Sequence, residues 1–501
     1  MRALLERSWG LLAPAQRQAL TAVSVFAGGF TAAGARAVAE VALPVLSSLA
    51  DKSLLAVNEN GRFALHPLVH AFAHERLAAE PERLRGLERR LAEVLAAQLV
   101  REAAAGPAAV GRAVRAERAN CVAAWQWALE NAASDVLAAL APPLSLHFSE
   151  AGRPSEGIRC LAGALQLPSL GVRARGRVSA ALAWFHFQRG ELQRGLELAL
   201  AGGPLARAAG DDVAQLRSAS AAAACSAMSG QLDQALGHCT EALRLAHRIG
   251  DRRRIADAHS NLGILHTRRG DDAAALGHFE QALAIYRELD QPEGIARILE
   301  FIAGLHGHRD EWQLAKRHAE EAVALHRRHG TASASRMHAQ MSLGLSHLEL
   351  GELDAAEREL LAALRLAREL EQRQNELAIE CRLALLATRR GHLAEALERL
   401  RALVRTYEHS DFRSDRLNAL LYYGDLLRAA GDAAAAARVW RAVAADNSAE
   451  AAVPARARRW LRALGSAAEA PQEEAFGVDE ACAKVFEPHA FEAKSRGSAH
   501  P

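Results

Sequence analysis

The stretch Asn261–Asp290, NLGILHTRRGDDAAALGHFEQALAIYRELD, decides the fold. It holds two runs with helical apolar periodicity, one on each side of Gly270, and neither alternates as a strand would. Gly270 stands where the first run stops. Glycine suits that place because the left-handed backbone that ends a helix costs it little. The same turn recurs outward from here: Gly190 in QRGEL, Gly230 in MSGQL, Gly351 in LGELD, Gly391 in RRGHL and Gly431 in AAGDA. The spacings from Gly190 are 40, 40, 81, 40 and 40, and the 81 is two units whose shared position is Asp310 in HRDEW. Gly152 in SEAGRP extends the series backwards by 38.

A second series marks the other end of each unit: Gly250, Asp290, Gly330 and Glu371. The unit is therefore helix, tight turn, helix, looser turn. Small residues keep fixed offsets from the tight turn: Gly263, Ala275 and Ala282 around Gly270; Gly344, Ala356 and Ala363 around Gly351; Gly424 and Ala436 around Gly431. A larger side chain holds a third offset, at Phe279, Leu360 and Trp440. Small side chains let two helices approach, and the large one fills the remaining gap. Self-similarity at such a period is the mark of stacked helical hairpins.

This spacing resembles the tetratricopeptide repeat, whose small, small, aromatic and small positions fall on Gly263, Ala275, Phe279 and Ala282. The unit here has 40 residues against the usual ~34. Six more residues add about 9 Å of helix. The resemblance implies a right-handed superhelix of hairpins that binds rather than catalyses, with the first helix of each hairpin lining a concave groove. Thirteen residues before each turn lies one column of that helix: Arg177, Arg217, Asp257, Arg297, His338, Ala378 and Asn418. Its arginines suit an acidic peptide or a small anionic effector held by charge-assisted hydrogen bonds. It also reads as a solvated helix edge. Trp184 and Phe187 add aromatic surface near the start of the groove, or serve as hairpin core.

Residues 1–80 have another texture. Pro14 opens a helix in APAQRQALTAVSVF, AGGF ends it, Thr31 caps a second helix and Pro44 opens a third. Two short β-like runs, Leu54–Val57 and Arg62–Leu65, flank NENG, a hairpin signal. A last helix follows Pro67, with Leu68, Ala71, Phe72 and Leu77 as its expected buried stripe. Three helices, a β-hairpin and a closing helix make a winged-helix pattern. The expected organisation is a winged-helix domain at 1–80, connecting helices at 81–150, period-40 repeats at 151–465 and a disordered tail at 466–501. The fold class is all-α, a helical-hairpin solenoid preceded by the small domain.

RSWGLLAPAQRQALTAVSVFAGGFT, VLSSLADKSLL and RFALHPLVHAFAHERLA resemble, in this order, the winged-helix segment of bacterial signal-transduction ATPases of the STAND type. AERANCVAAWQWALE and GRPSEGIRCLAGAL resemble the connecting helices and first hairpin of the same family. Such proteins join a P-loop nucleotide-binding domain to a winged helix and then to repeats. The resemblance implies a sensor half of a signalling or transcriptional regulator. It also assigns to His66, in Leu65-His66-Pro67, a contact with the β-phosphate of ADP held by a neighbouring domain. The chain has no GxxxxGK[ST], so the nucleotide would have to come with a separate NTPase chain, and no cofactor is expected within this one. Two expectations stand side by side: the carboxyl part of a divided regulator, or a receiver that has lost its motor.

Three further readings concern partners. His66, His70 and His74 share a helix face, but the first and third lie roughly 12 Å apart along the axis, too far for one metal ion. The chain carries 61 basic and 59 acidic side chains, and residues 1–80 hold seven and six. The third helix offers only Lys52 among basic groups, poor equipment for a DNA-binding transcription factor, the alternative reading. Six scattered cysteines form no CxxC pair, and no uncharged apolar run is long enough to span a bilayer, so a cytoplasmic, membrane-free protein is expected.

Overall fold

The computed structural model describes residues 2–104, 107–329, 334–407, 413–446, 452–464, 477–487 and 489. The chain forms two compact units, Met1–Gly250 and Asp251–Pro501, so the division falls inside the period-40 array. The structure is all-α apart from one two-stranded sheet among the described residues.

The first unit begins with α1 (Arg2–Gly10), α2 (Pro14–Val23), α3 (Ala32–Ala39), α4 (Leu43–Asp51), β1 (Leu55–Val57), β2 (Phe63–Leu65) and α5 (Pro67–Ala78). Thr31 caps α3 by accepting from the Gly34 amide at 3.0 Å. The strands pair antiparallel with Leu55 opposite Leu65, and Gly61 takes a φ of 71° in the connecting turn. The buried stripe of α5 is Val69, Phe72, Ala73 and Leu77, whereas Leu68 is 44% exposed. The expected stripe was out of phase at Leu68 and Ala71, since Val69 and Ala73 take the buried places beside Phe72 and Leu77.

Next come α6 (Pro81–Ala104), α7 (Pro107–Ala116), α8 (Arg118–Glu130), α9 (Ser134–Glu150) and α10 (Pro154–Leu161). The AGGF bend is clamped by the start of α8. Asn120, almost fully buried, accepts from the Gly28 amide and donates to the Gly29 carbonyl, both at 3.0 Å. Arg62 beside β2 donates to the same carbonyl at 2.6 Å and pairs with Glu117 at 2.6 Å. These buried bonds fix the small front domain on the connecting helices. Helices α9 and α10 pair around the left-handed Gly152, the first turn of the glycine series. Two more hairpins follow, α11 (Val172–Gln188) with α12 (Leu192–Ala208), and α13 (Asp212–Met228) with α14 (Leu232–Ile249).

The second unit stacks α15 (Arg252–Arg269) with α16 (Asp272–Glu288), α17 (Pro292–His308) with α18 (Trp312–His329), α19 (Ala334–Glu349) with α20 (Leu353–Glu369), α21 (Arg373–Arg389) with α22 (Leu393–Tyr407), and α23 (Arg413–Ala429) with α24 (Ala433–Ala445). α25 (Ala452–Leu464) and α26 (Val478–Val485) close it. The turns are left-handed where the glycine series places them, with φ of 81° at Gly270, 59° at Asp310 and 78° at Gly351. Asp290 and Glu371 of the second series are left-handed too, while Gly330 lies outside the described residues. The aspartate after a turn glycine caps the next helix: Asp271 accepts from the Ala274 amide and Asp432 from the Ala435 amide. A histidine also reaches an acid across the turn at 2.6 Å in His306–Glu311 and 2.5 Å in His347–Glu352.

Part of the tail read as disordered is structured. α26 buries Ala481, Cys482 and Val485 against α22, α23 and α24. Tyr423 donates to the Lys484 carbonyl at 2.9 Å and Arg401 to the Val485 carbonyl at 3.0 Å. The rest of the tail lies outside the described residues, apart from Gly477, Phe486, Glu487 and His489. Among the described residues, no single helix is long and apolar enough to cross a membrane.

Candidate ligand groove

In the first unit, two of the three column arginines come together around a cavity of about 240 Å³. Its apolar walls are Leu99, Val100 and Ala103 of α6, Ala139, Pro142 and Pro143 of α9, Ala180 of α11, and Val213 and Ala214 of α13. Arg177, Asp211 and Arg217 supply the polar part. Val100 and Val213 are 55% and 43% exposed, so the mouth is apolar as well.

The proline pair in α9 shapes this site. Pro142 has no N–H, so the Ala138 carbonyl loses its helical donor. Arg177 takes that place, with Nη1 donating to the Ala138 carbonyl at 2.8 Å. Its Nε donates to Asp211 Oδ2 at 2.5 Å, while Asp211 Oδ1 accepts from the Ala214 amide at 3.0 Å and caps α13. Pro143 likewise removes the helical donor of the Ala139 carbonyl, and Ala139 lines the cavity. Arg177 thus acts as a strut between α9 and α13, and half-buried Arg217 is the column arginine one hairpin further on. Trp184 stands two helical turns beyond Arg177 on the same face of α11. It is about one-third exposed, and its ring centroid lies 5.1 Å from that of Phe187.

The second unit holds the remainder of the column. Asp257 accepts from the Tyr286 hydroxyl at 2.5 Å, and Arg297 donates to the same hydroxyl at 3.1 Å. Burial, with Asp257 accepting from the phenol, pushes the Tyr286 pKa well above its usual value. His338 stands 3.5 Å from Glu300 and 3.3 Å from the Asn375 amide oxygen. Burial pushes the Glu300 carboxyl up to about 8 and holds the His338 pKa down. Ala378 and Asn418 line a cavity of about 50 Å³ with Arg382, Asp415 and Tyr407. That space has room for a few waters and no larger ligand. Asp211, Tyr286 and Glu300 were not singled out from sequence; the Gly210-Asp211 pair ahead of a helical run and the Pro142-Pro143 pair inside one are the signals that could have led to the first site.

His66 is exposed at the start of α5, and its Nδ1 accepts from the Leu68 amide at 3.3 Å. In the neutral ring that leaves the proton on Nε2. His70 does other work, with Nε2 3.1 Å from the Phe26 carbonyl.

A tetratricopeptide repeat family model matches residues 212–288. The structure is similar to that of a STAND protein with a tetratricopeptide repeat sensor from Pyrococcus horikoshii, with a TM-score of 0.62 at 15% identity over 86% of this chain and 62% of that one. It is also similar to the apo form of RapI, with a TM-score of 0.55 at 10% identity over 75% of this chain and 99% of that one. The chain therefore spans 62% of the length of the STAND protein. No curated protein matches it. The chain carries tetratricopeptide repeats, and its fold is the all-α helical-hairpin array of that kind.

Proposed function

We propose that this chain is a non-enzymatic binding scaffold, the sensor part of a STAND-type regulator, and that the cavity of the first unit receives a small anion with an apolar body. The observation that carries this reading is the pairing of apolar walls with Arg217, beside the Arg177–Asp211 pair, around one cavity of about 240 Å³. The volume is below the ~300–1,000 Å³ of sites that enclose drug-sized ligands, which favours a compact effector or one anchoring side chain of an acidic peptide. The apolar body would be released from water against α6 and α9, and Arg217 would meet the anionic end. The sequence resemblance and the fold likeness support the sensor role. A thermal-shift panel of small aromatic and aliphatic carboxylates and short acidic peptides tests it. Some members should raise the melting temperature of the full chain and lose that effect in R217A; a panel without any such member counts against the reading.

A second reading rests on His66. Its Nε2–H faces outward at a helix start, where a phosphate brought by a separate nucleotide-binding chain could accept from it. The winged-helix segment would then serve as a nucleotide-domain partner rather than a DNA reader. Lys52 donates to Gln16 at 2.9 Å and Gln16 donates to Ser48 at 2.7 Å, so Ser48 and Lys52 are tied to α2. Protection of ADP by the mixed chains, absent with H66A, is the expected outcome.

A further inference from the structure

The cavity of the first unit makes a second demand on its ligand besides charge. We propose that the ligand is a monoanion whose apolar body bears one neutral N–H donor, and that this N–H meets the backbone carbonyl of Ala139. The inference rests on the reading of that cavity as a small-anion site and names the class of anion it selects.

The demand originates in α9. In a helix the carbonyl of residue i accepts from the N–H of residue i+4, or from that of i+3 where the turn tightens. For Ala139 those residues are Pro143 and Pro142, the only proline pair in the sequence, and neither has an N–H. The carbonyl before it shows how such a gap is filled. Ala138 loses its i+4 donor to Pro142, and Arg177 Nη1 donates to its oxygen at 2.8 Å. Among the described residues no side chain does the same for Ala139.

Ala139, Pro142 and Pro143 stand at i, i+3 and i+4, on one face of α9, and all three line the cavity. A helical carbonyl lies beneath the residue four further on, so the Ala139 oxygen is on the cavity side of the helix. The facing wall of α6, made of Leu99, Val100 and Ala103, has no side-chain donor to offer it. Arg177 is engaged by Ala138 and Asp211. A ligand that fills the space displaces water from the Ala139 oxygen. It then brings a donor of its own or leaves a desolvated acceptor unpaired, at a loss of affinity. The charge of the site decides the kind of donor. Arg177 and Arg217 against Asp211 leave one net positive charge among the lining residues. An ammonium would add to it, whereas one negative charge and a neutral N–H balance it. Carboxylates of indoles, pyrroles and anilides have this chemistry.

Indole-3-acetate, indole-3-propionate and indole-3-butyrate, each beside its 1-benzothiophene counterpart, are titrated calorimetrically against the full chain. The paired rings share a shape, and sulfur replaces the N–H. Apolar transfer alone favours the benzothiophene. The best-binding indole should nonetheless exceed its counterpart by at least ~5-fold. P143A returns an N–H to the Ala139 carbonyl and should erase that preference. P142A trims the same wall but returns its N–H to Ala138, and should keep it. Equal or weaker binding of the indoles, with both series weakened by R217A, overturns the N–H inference and leaves the small-anion reading standing. Binding of neither series overturns both. A folded P143A chain that keeps the preference also overturns the assignment to Ala139; should either proline variant not fold, the wild-type pairs decide.

Discussion

Gly263 and Phe279 share one space: a Cβ on Gly263 would lie 2.5 Å from the Phe279 ring, which is 1% exposed. The same relationship joins Gly344 to Leu360 and Gly424 to Trp440, where the distances would be 2.8 and 2.3 Å. Closure of these three hairpins therefore depends on a missing methyl in the first helix. G263A should destabilise the chain by about 1–3 kcal/mol through overpacking. G270A, at a left-handed turn open to solvent, should cost roughly 1–2 kcal/mol by backbone strain alone. Urea unfolding separates the two when each is paired with F279L, which should relieve G263A but not G270A. Equal relief of both would contradict this packing.

Glu300 sets a pH dependence in the second unit. Its carboxyl titrates near 8 in the folded chain because it is buried, against 4.5 ordinarily. The folded state therefore holds a proton that the unfolded state releases between those values, and stability is lost as pH rises from about 4.5 to 8. Ser335 donates to Glu300, and Arg297 opposes the shift. E300Q removes the titration while keeping the shape. Relative to wild type it should gain on the order of 3 kcal/mol between pH 5 and pH 8. Parallel stability curves for the two chains across that range would argue against a protonated Glu300.

Asn120 holds the front domain through bonds to the Gly28 amide and the Gly29 carbonyl. N120A leaves the partly buried Gly28 amide without that acceptor, a cost of about 1–2 kcal/mol. Limited proteolysis should show faster cleavage near residues 27–30 while the second unit stays protected. Uniform loss of protection along the chain would point to global unfolding instead.

The charge balance and the tethering of Lys52 bear on DNA. No shift of random-sequence duplex is expected at low salt, where phosphate contacts are strongest. Clear binding would promote the transcription-factor reading over the sensor.

Much of this architecture was legible because its determinants are local and repeated. A glycine at a turn and small-large pairs at fixed offsets report themselves once per period. The order of elements from Pro14 to Ala78 was legible for the same reason, since Pro14, Thr31, Pro44 and Asn60-Gly61 act on their immediate neighbours, whereas α1 ahead of them was not read. The phase of α5 was not, because Leu68 and Val69 are both apolar and leave two stripes possible, and packing in the fold decides between them. The column of first-helix residues was found, but not the partners that engage it. Arg177 meets Ala138 and Asp211, 39 and 34 residues away, through a carbonyl exposed by Pro142. The return of α25 to Asp310 spans 149 residues and leaves no mark in the periodicity.

The central claim is that the chain holds a small anion between α6, α9, α11 and α13. Anilinonaphthalenesulfonate, an apolar ring system with one sulfonate, tests it by fluorescence titration of the full chain. Saturable one-site binding is expected, weakened at least ~10-fold both by A103W, which fills the cavity mouth, and by R217A, which removes the cation. Equal affinity in wild type and both variants would contradict the account.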